Sequence, residues 1–299
     1  MNVNLIGVPL FYGSDKKGVD LGPDKLRANK IVDVIKNNNH EIHDLGNINI
    51  PAVNTGDKYS SNINMKYLSP IVDVNNHLAK EVYDSLKSNN FPFIVGGDHS
   101  LGIGSIAGVS KYYKNIAVIW VDAHGDINTD KTSDTGNVHG MPLAASMGFG
   151  SSSLTDVYYK GVKVNPKNVF IIGARSLDKG EKDLTKQKHL NVYSTEDVKT
   201  KGIDTILDEI NQKIKESGVD AIHLSFDIDC LDPTLVPGTG TPVSDGMNLK
   251  DAKYLIKYLM ETKLVKSMDL VELNTLLDNG DATTKLVMGL VDWTFKYLQ

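Results

Sequence analysis

Cysteine is almost missing from this chain: Cys230 is the only one in 299 residues. That excludes an internal disulfide framework and fits a reducing compartment. The amino terminus, Met1-Asn2-Val3-Asn4-Leu5-Ile6-Gly7-Val8, has neither a basic segment nor a long apolar core. It reads as a first strand, not as a secretory leader. No apolar run approaches the roughly 18 residues of a membrane span. Basic residues are not in excess, with 32 Lys and Arg against 37 Asp and Glu for a net charge of −5. With no basic stripe either, the balance argues against a dedicated nucleic-acid binder. Internal repeats, low-complexity tracts and linkers are absent too. The expectation is one soluble, cytoplasmic domain over residues 1–299, large enough to bury a sizeable core, with no membrane or nucleic-acid partner.

What is present is a regular alternation of apolar runs and amphipathic stretches. Strands are expected over 3–8, 41–45, 91–95, 115–121, 168–173, 190–193, 219–226 and 265–271. Helices are expected from Pro23 to Lys36, over 68–86, from an N-cap at Ser100 to 113, and over 141–147, 203–214, 248–260 and 281–298. This order predicts an α/β fold, a parallel sheet of about eight strands with helices on both faces. The stretch 125–140 has no pattern of its own, and structureless segments of that length in a compact domain are usually functional.

Three strands end in potential ligands. Residues 115–121 run into Asp122-Ala123-His124-Gly125-Asp126, and 219–226 run into Asp227-Ile228-Asp229. Residues 91–95 run into Gly96-Gly97-Asp98-His99. If the chain stays extended, period two puts Asp122, His124 and Asp126 on one face, and Asp227 with Asp229 on another. Parallel sheets bind ligands outside the carboxyl ends of their strands. His99, Asp122, His124, Asp126, Asp227 and Asp229 can therefore meet in one crevice. Four carboxylates and two imidazoles exceed the needs of one divalent ion, whereas two ions would offset their charge. Oxygen-rich ligation suits Mn²⁺ better than Zn²⁺. Two such ions roughly 3.5 Å apart hold a hydroxide at neutral pH. The residues thus spell a dinuclear metallohydrolase, with a phosphoesterase as open as any other.

Gly96-Gly97-Asp98-His99-Ser100, Asp122 to Thr129, Gly136-Asn137-Val138-His139-Gly140 and Ser225 to Pro233 resemble the signature blocks of the arginase (ureohydrolase) family. The match runs from the Gly18/Gly22-Pro23 opening to the terminal helix. The resemblance implies an arginase-like fold and two Mn²⁺ per subunit. One ion would take His99, Asp122, Asp126 and Asp227, and the other Asp122, His124, Asp227 and Asp229. It implies hydrolysis of L-arginine to L-ornithine and urea by a metal-bridging hydroxide. Asp126 would orient the hydroxide and pass its proton on, His139 would shuttle protons, and Glu272 would pair with the guanidinium beside Thr241. Asn128, Thr135 and Asn137 would hold the substrate α-carboxylate, and Asp178 and Glu181 would lie near its α-amino group. A homo-oligomer, trimer or hexamer, and a place in arginine metabolism are implied likewise. The nearest alternative is a ureohydrolase acting on agmatine or another guanidino compound, and the alternative of another class is a non-catalytic metal-binding subunit.

Three positions depart from the family's usual pattern. Ser176 replaces a common acidic residue, Thr135 a common serine, and Thr275 follows Asn274 where proline is frequent. Asp98 and Asp232 read as support for the ligands or as structural, His223 as structural or as support for a ligand, and Cys230 as buried packing. The Lys-rich stretches 16–17, 179–188 and 199–201 read as solvated faces.

Overall fold

Eight apolar runs become strands: β1 (Asn2–Val8), β2 (Glu41–Asn47), β3 (Phe91–Gly96), β4 (Ile116–Val121), β5 (Val169–Ala174), β6 (Asn191–Ser194), β7 (Ala221–Asp227) and β8 (Val265–Val271). The computed structural model describes residues 1–299. All strand pairings are parallel and form one sheet in the order β2-β1-β3-β8-β7-β4-β5-β6. Parallel neighbours require crossovers, which the helices provide. β3, β4, β5 and β7 are buried along their whole length, as their unbroken apolar runs require of strands covered on both faces. β2 lies at the edge, is mostly exposed, and carries Glu41, His43 and Asp44 there.

Alternate strand residues feed two cores. On one face Val3, Leu5, Phe93, Ile119 and Phe226 pack against α1 (Gly22–Ala28), α2 (Ile31–Asn37), α8 (Thr195–Lys201), α9 (Ile203–Glu216), α10 (Leu249–Glu261) and α11 (Ala282–Tyr297). On the other face Ile6, Ile94, Val118 and Trp120 pack against α3 (Leu68–Lys87), α4 (Gly102–Tyr112), α5 (Pro142–Ser146) and α6 (Ser152–Thr155).

The expected helix from Pro23 to Lys36 is two helices. Lys30 adopts a left-handed φ of 67° and separates α1 from α2. Ser100 is not the N-cap expected of it. Asp98 caps that turn and accepts the Ser100 N–H, and a 3-10 turn (His99–Leu101) leads into α4. The Lys-rich stretch over 179–188 is a helix, α7 (Lys179–Lys188), which the hydrophobic pattern misses because only Glu181 in it is buried. Its start was nevertheless written in the sequence: Asp178 and Glu181 form a reciprocal capping box. Ser194 and Asp197 do the same for α8.

The middle of the sheet, β3-β8-β7-β4, carries every strand that ends in a potential ligand. Their carboxyl ends open on one side, which is where the site forms.

Candidate metal centre

Each ligand-bearing strand turns by the same device. Asp98 Oδ1 accepts the N–H of Ser100 at 3.0 Å, Asp122 Oδ1 that of His124 at 2.7 Å, and Asp227 Oδ1 that of Asp229 at 2.8 Å. An aspartate at a strand end captures the amide two residues on and bends the chain there. The expectation that Asp122, His124 and Asp126 share a face by extended period-two geometry is therefore corrected. β4 stops at Val121, and Asp126 has a left-handed φ of 53°. Asp229 likewise lies in a 3-10 turn (Ile228–Cys230) beyond β7. The residues do converge, but through turns.

His99 Nδ1 lies 3.0 Å from Asp122 Oδ2, 3.2 Å from Asp126 Oδ2 and 3.3 Å from Asp227 Oδ2. His124 Nδ1 lies 3.3 Å from Asp122 Oδ1 and 3.1 Å from Asp229 Oδ2. Ligand atoms of His99, Asp122 and Asp227 thus form one cluster and those of Asp122, His124 and Asp229 another, each within 4.8 Å, with Asp122 common to both. Trp120 holds this arrangement from behind. Its ring stacks on His99 at 3.8 Å, and its Nε1 donates to Asp122 Oδ2 at 3.0 Å. Asp229 is fixed by the Ala123 N–H and the Thr241 hydroxyl.

The charge balance of this cluster favours a cation. Burial, and then the charges of Asp229 and Asp122, push Asp227 well above the usual carboxylate range. Burial and Asp122 push Asp126 up to about 7, and the same two causes raise Asp229. Burial would raise Asp122 too, but the close His124 and His99 imidazoles more than offset that and hold it low. Four buried carboxylates thus face two imidazoles, an excess of negative charge that a protein interior tolerates only with compensation. His99 Nδ1 is buried without a hydrogen-bond partner, pointing among these oxygens. An orphaned nitrogen among oxygen donors is what a divalent cation would satisfy, so the residues fit a metal pair.

A cavity of about 310 Å³ opens over the cluster. His99, His124, Asp126, Asn128, Thr135, His139, Ser176, Asp178, Glu181, Asp227 and Thr241 are among its lining residues. Asn128 Nδ2 donates to Asp178 Oδ2 at 2.5 Å, tying the stretch after β4 to the start of α7. Glu181 is pushed up to about 7 by burial and accepts the Ile127 N–H. Four expected site residues stand behind the lining: Asp122 and Asp229 within the cluster, and Glu272 and Asn137 beside it. Glu272 is buried, has a left-handed φ of 68°, and accepts the His99 N–H with Oε1. Asn137 has both ends of its amide engaged, donating to Ser14 O and accepting from Lys66 Nζ. Lys66 escaped the sequence reading because it sits in a polar stretch without a motif, and only the fold brings it beside Asn137. Lys16, expected to be merely solvated, donates to Gly240 O next to Thr241.

Asp98 and Asp232 hold turns, as expected. Asp98 Oδ2 accepts the amides of Gly13 and Ser14, and Asp232 accepts from Thr234 and Gly246. A side chain on Gly13 would collide with Asp98 and Ser100, so the loop can approach only as glycine.

The arginase family model matches residues 1–295. An arginase of Staphylococcus aureus (strain COL) is 38% identical over 293 residues, which is 98% of this chain and 96% of that protein. The crystal structure of arginase from Bacillus cereus superposes with a TM-score of 0.92 at 38% identity, covering 99% of this chain and 98% of that one. The arginase of Bacillus caldovelox in its native structure at pH 5.6 gives a TM-score of 0.92 at 37% identity, with 98% of both chains covered.

Proposed function

This chain belongs to the arginase family of hydrolases, and from that premise we propose that it hydrolyses the guanidinium group of L-arginine to L-ornithine and urea. The observation that carries the reading is the convergence of His99, His124, Asp122, Asp126, Asp227 and Asp229 in one cluster at the base of a polar cavity, four of them lining it. In this reading two Mn²⁺ ions would be held, one by His99, Asp122, Asp126 and Asp227, the other by Asp122, His124, Asp227 and Asp229. Oxygen-rich donors favour Mn²⁺ over Zn²⁺. When bound, the pair supplies Lewis-acid activation of water at neutral pH.

The protein's own groups do the rest. Asp126, at the cavity floor, takes the proton released as water attacks the guanidinium carbon and returns it to the departing amine. Glu272 Oε2 makes no hydrogen bond within the protein and faces Gly240 beside Thr241, where a guanidinium can pair with it. His139, at the cavity wall, exchanges protons with solvent. Asn128 and Thr135, with Asn137 behind them, hold the α-carboxylate, and Asp178 and Glu181 hold the α-amino group.

The same reading takes residues 1–299 as one domain, since β8 is inserted between β3 and β7 and no strand group stands apart. It places the protein in the cytoplasm as a homo-oligomer, trimer or hexamer. No helix is long and apolar enough to cross a membrane. Sedimentation of the metal-loaded protein tests the assembly state.

The test of function is urea release from Mn²⁺-loaded protein, with L-arginine and agmatine offered separately and a chelated control. Urea from arginine alone, lost on chelation, is expected. Urea from agmatine instead would keep the metal site and overturn the assignment of Asn128, Thr135 and Asn137. Metal bound but no urea from either would point to another guanidino substrate or a silent subunit.

A further inference from the structure

A strip of polar side chains crosses the otherwise apolar face of the sheet beneath α4. His223 and Ser225 on β7 pair in register with Ser267 and Asp269 on β8. All four are fully buried, as is Ser105 of α4 above them. Period two sends these four side chains to the same face as Asp227, so the strip leads from the core to the metal cluster. Proposing a metal pair does not by itself explain a charged Asp269 at the centre of a buried strand.

Asp269 accepts from three groups. Ser225 Oγ lies 2.5 Å from its Oδ1, and Ser105 Oγ and His223 Nε2 lie 2.7 and 3.0 Å from its Oδ2. The opposite side of Ser225 Oγ faces His99 Nε2 at 2.7 Å. An ionised carboxylate accepts only, and a serine has one proton to give. The Ser225 proton therefore goes to Asp269, leaving only lone pairs toward His99. We infer that Asp269, acting through Ser225, is a positioning residue that keeps the proton on His99 Nε2, so that Nδ1 is the nitrogen free to meet a cation. The inference rests on the reading of His99 as a metal ligand. His223 holds the other end of the strip, between Asp269 and the Ser267 hydroxyl at 2.7 Å. Burial would raise the Asp269 carboxyl, but the neighbouring His223 more than offsets it, which keeps Asp269 an acceptor.

Asp269→Asn preserves shape while offering an N–H toward Ser225. The hydroxyl can then turn and donate to His99 Nε2, which moves the ring proton to Nδ1 and blocks the cation. Mn²⁺ titration by equilibrium dialysis, with calorimetry for stability, tests this. Wild-type protein is expected to bind two ions per chain. Asp269→Asn is expected to bind one as wild type does and the other about 10-fold or more weaker, the scale seen when a partner behind a metal ligand is lost. A merely destabilising change would weaken both ions together. In ¹⁵N-histidine spectra of chelated protein, the hydrogen-bonded His99 Nε2–H resonance is expected in wild type and should be lost or shifted in the variant.

Should Asp269→Asn fail to fold, Ser225→Ala leaves the Asp269–His223 contact in place and must give the same loss at one ion. Two ions bound at wild-type affinity by a folded variant would overturn the inference and leave the metal site standing. A wild-type protein that binds no Mn²⁺ would instead overturn the metal reading, while the Nε2–H resonance would still decide the relay.

Discussion

Glu272 Oε1 lies 3.4 Å from His139 Nδ1 and accepts the His99 amide at 3.0 Å, so one oxygen joins the cavity wall to the backbone of the cluster. Burial alone would lower the His139 pKa, but the Glu272 hydrogen bond and charge more than offset it and leave the imidazole above its ordinary range. Glu272→Gln should bring the His139 titration down toward about 6.5 in histidine NMR of chelated protein. The linkage has a definite sign. A raised imidazole contributes stability that is complete below the unfolded pKa of about 6.5 and is lost as pH rises through the folded value. That slope should vanish in the Gln variant, and an unmoved midpoint would assign the shift to another neighbour.

Asp122 has two tasks that a pair of substitutions separates. As a turn former it accepts the His124 amide, and as a charge it serves both ligand clusters. Asp122→Asn keeps an oxygen for the turn, sets its amide NH2 against the Trp120 N–H, and should still fold, yet lose tight Mn²⁺ binding and urea release. Asp122→Ala removes the turn bond too and should cost a further ~1 kcal/mol in denaturant unfolding. Equal stability of the two variants would argue against the turn's contribution.

Asn128 offers a neutral donor where the proposed substrate carries its α-carboxylate. A hydrogen bond to a charged group is worth about 1.5–3 kcal/mol. Asn128→Ala should therefore lower kcat/KM for arginine by about 10-fold to 100-fold. Hydrolysis of a guanidino compound without the α-carboxylate should change far less. Equal losses on both substrates would mean that Asn128 acts through Asp178 and α7 instead.

Asp278 secures the start of α11 away from the site. It accepts the amides of Thr283 and Thr284 and the Thr284 hydroxyl, and Thr283 in turn holds the Gly238 amide. Loss of such a cap costs about 0.5–2 kcal/mol. Asp278→Ala should fall in that range with Mn²⁺ affinity unchanged. Burial would raise this carboxyl, but the threonine hydrogen bonds hold it below its ordinary value. Its contribution is then present above about pH 3.8 and is lost as pH falls through the lowered folded pKa. The Ala variant should lack that acid-side slope.

Much of this was legible in one dimension. Continuous apolar runs announced strands buried on both faces, and their endings in Asp and His announced the cluster. The means of convergence was not legible. Period two is a property of extended chain, and Asp122, Asp227 and Asp98 end it by capturing an amide two residues on. Helix α7 was hidden because its polar surface lacks an apolar stripe, though Asp178 and Glu181 at capping-box spacing marked its start. Asp269 was unreadable for the opposite reason: only the β7–β8 register shows that it meets Ser225. Lys66 meets Asn137 across 71 positions of sequence, a distance no local pattern spans.

A ribosome delivers these strands in an order the sheet does not follow. β4 and β7 lie side by side, so the strands that carry Asp122, His124, Asp227 and Asp229 are all made once residue 229 has emerged. His99, at the end of β3, cannot join them then, because β3 reaches β7 only across β8, the last strand to be made. In chain order, one half of the cluster is thus complete by residue 229, while the other is closed only by the strand made last.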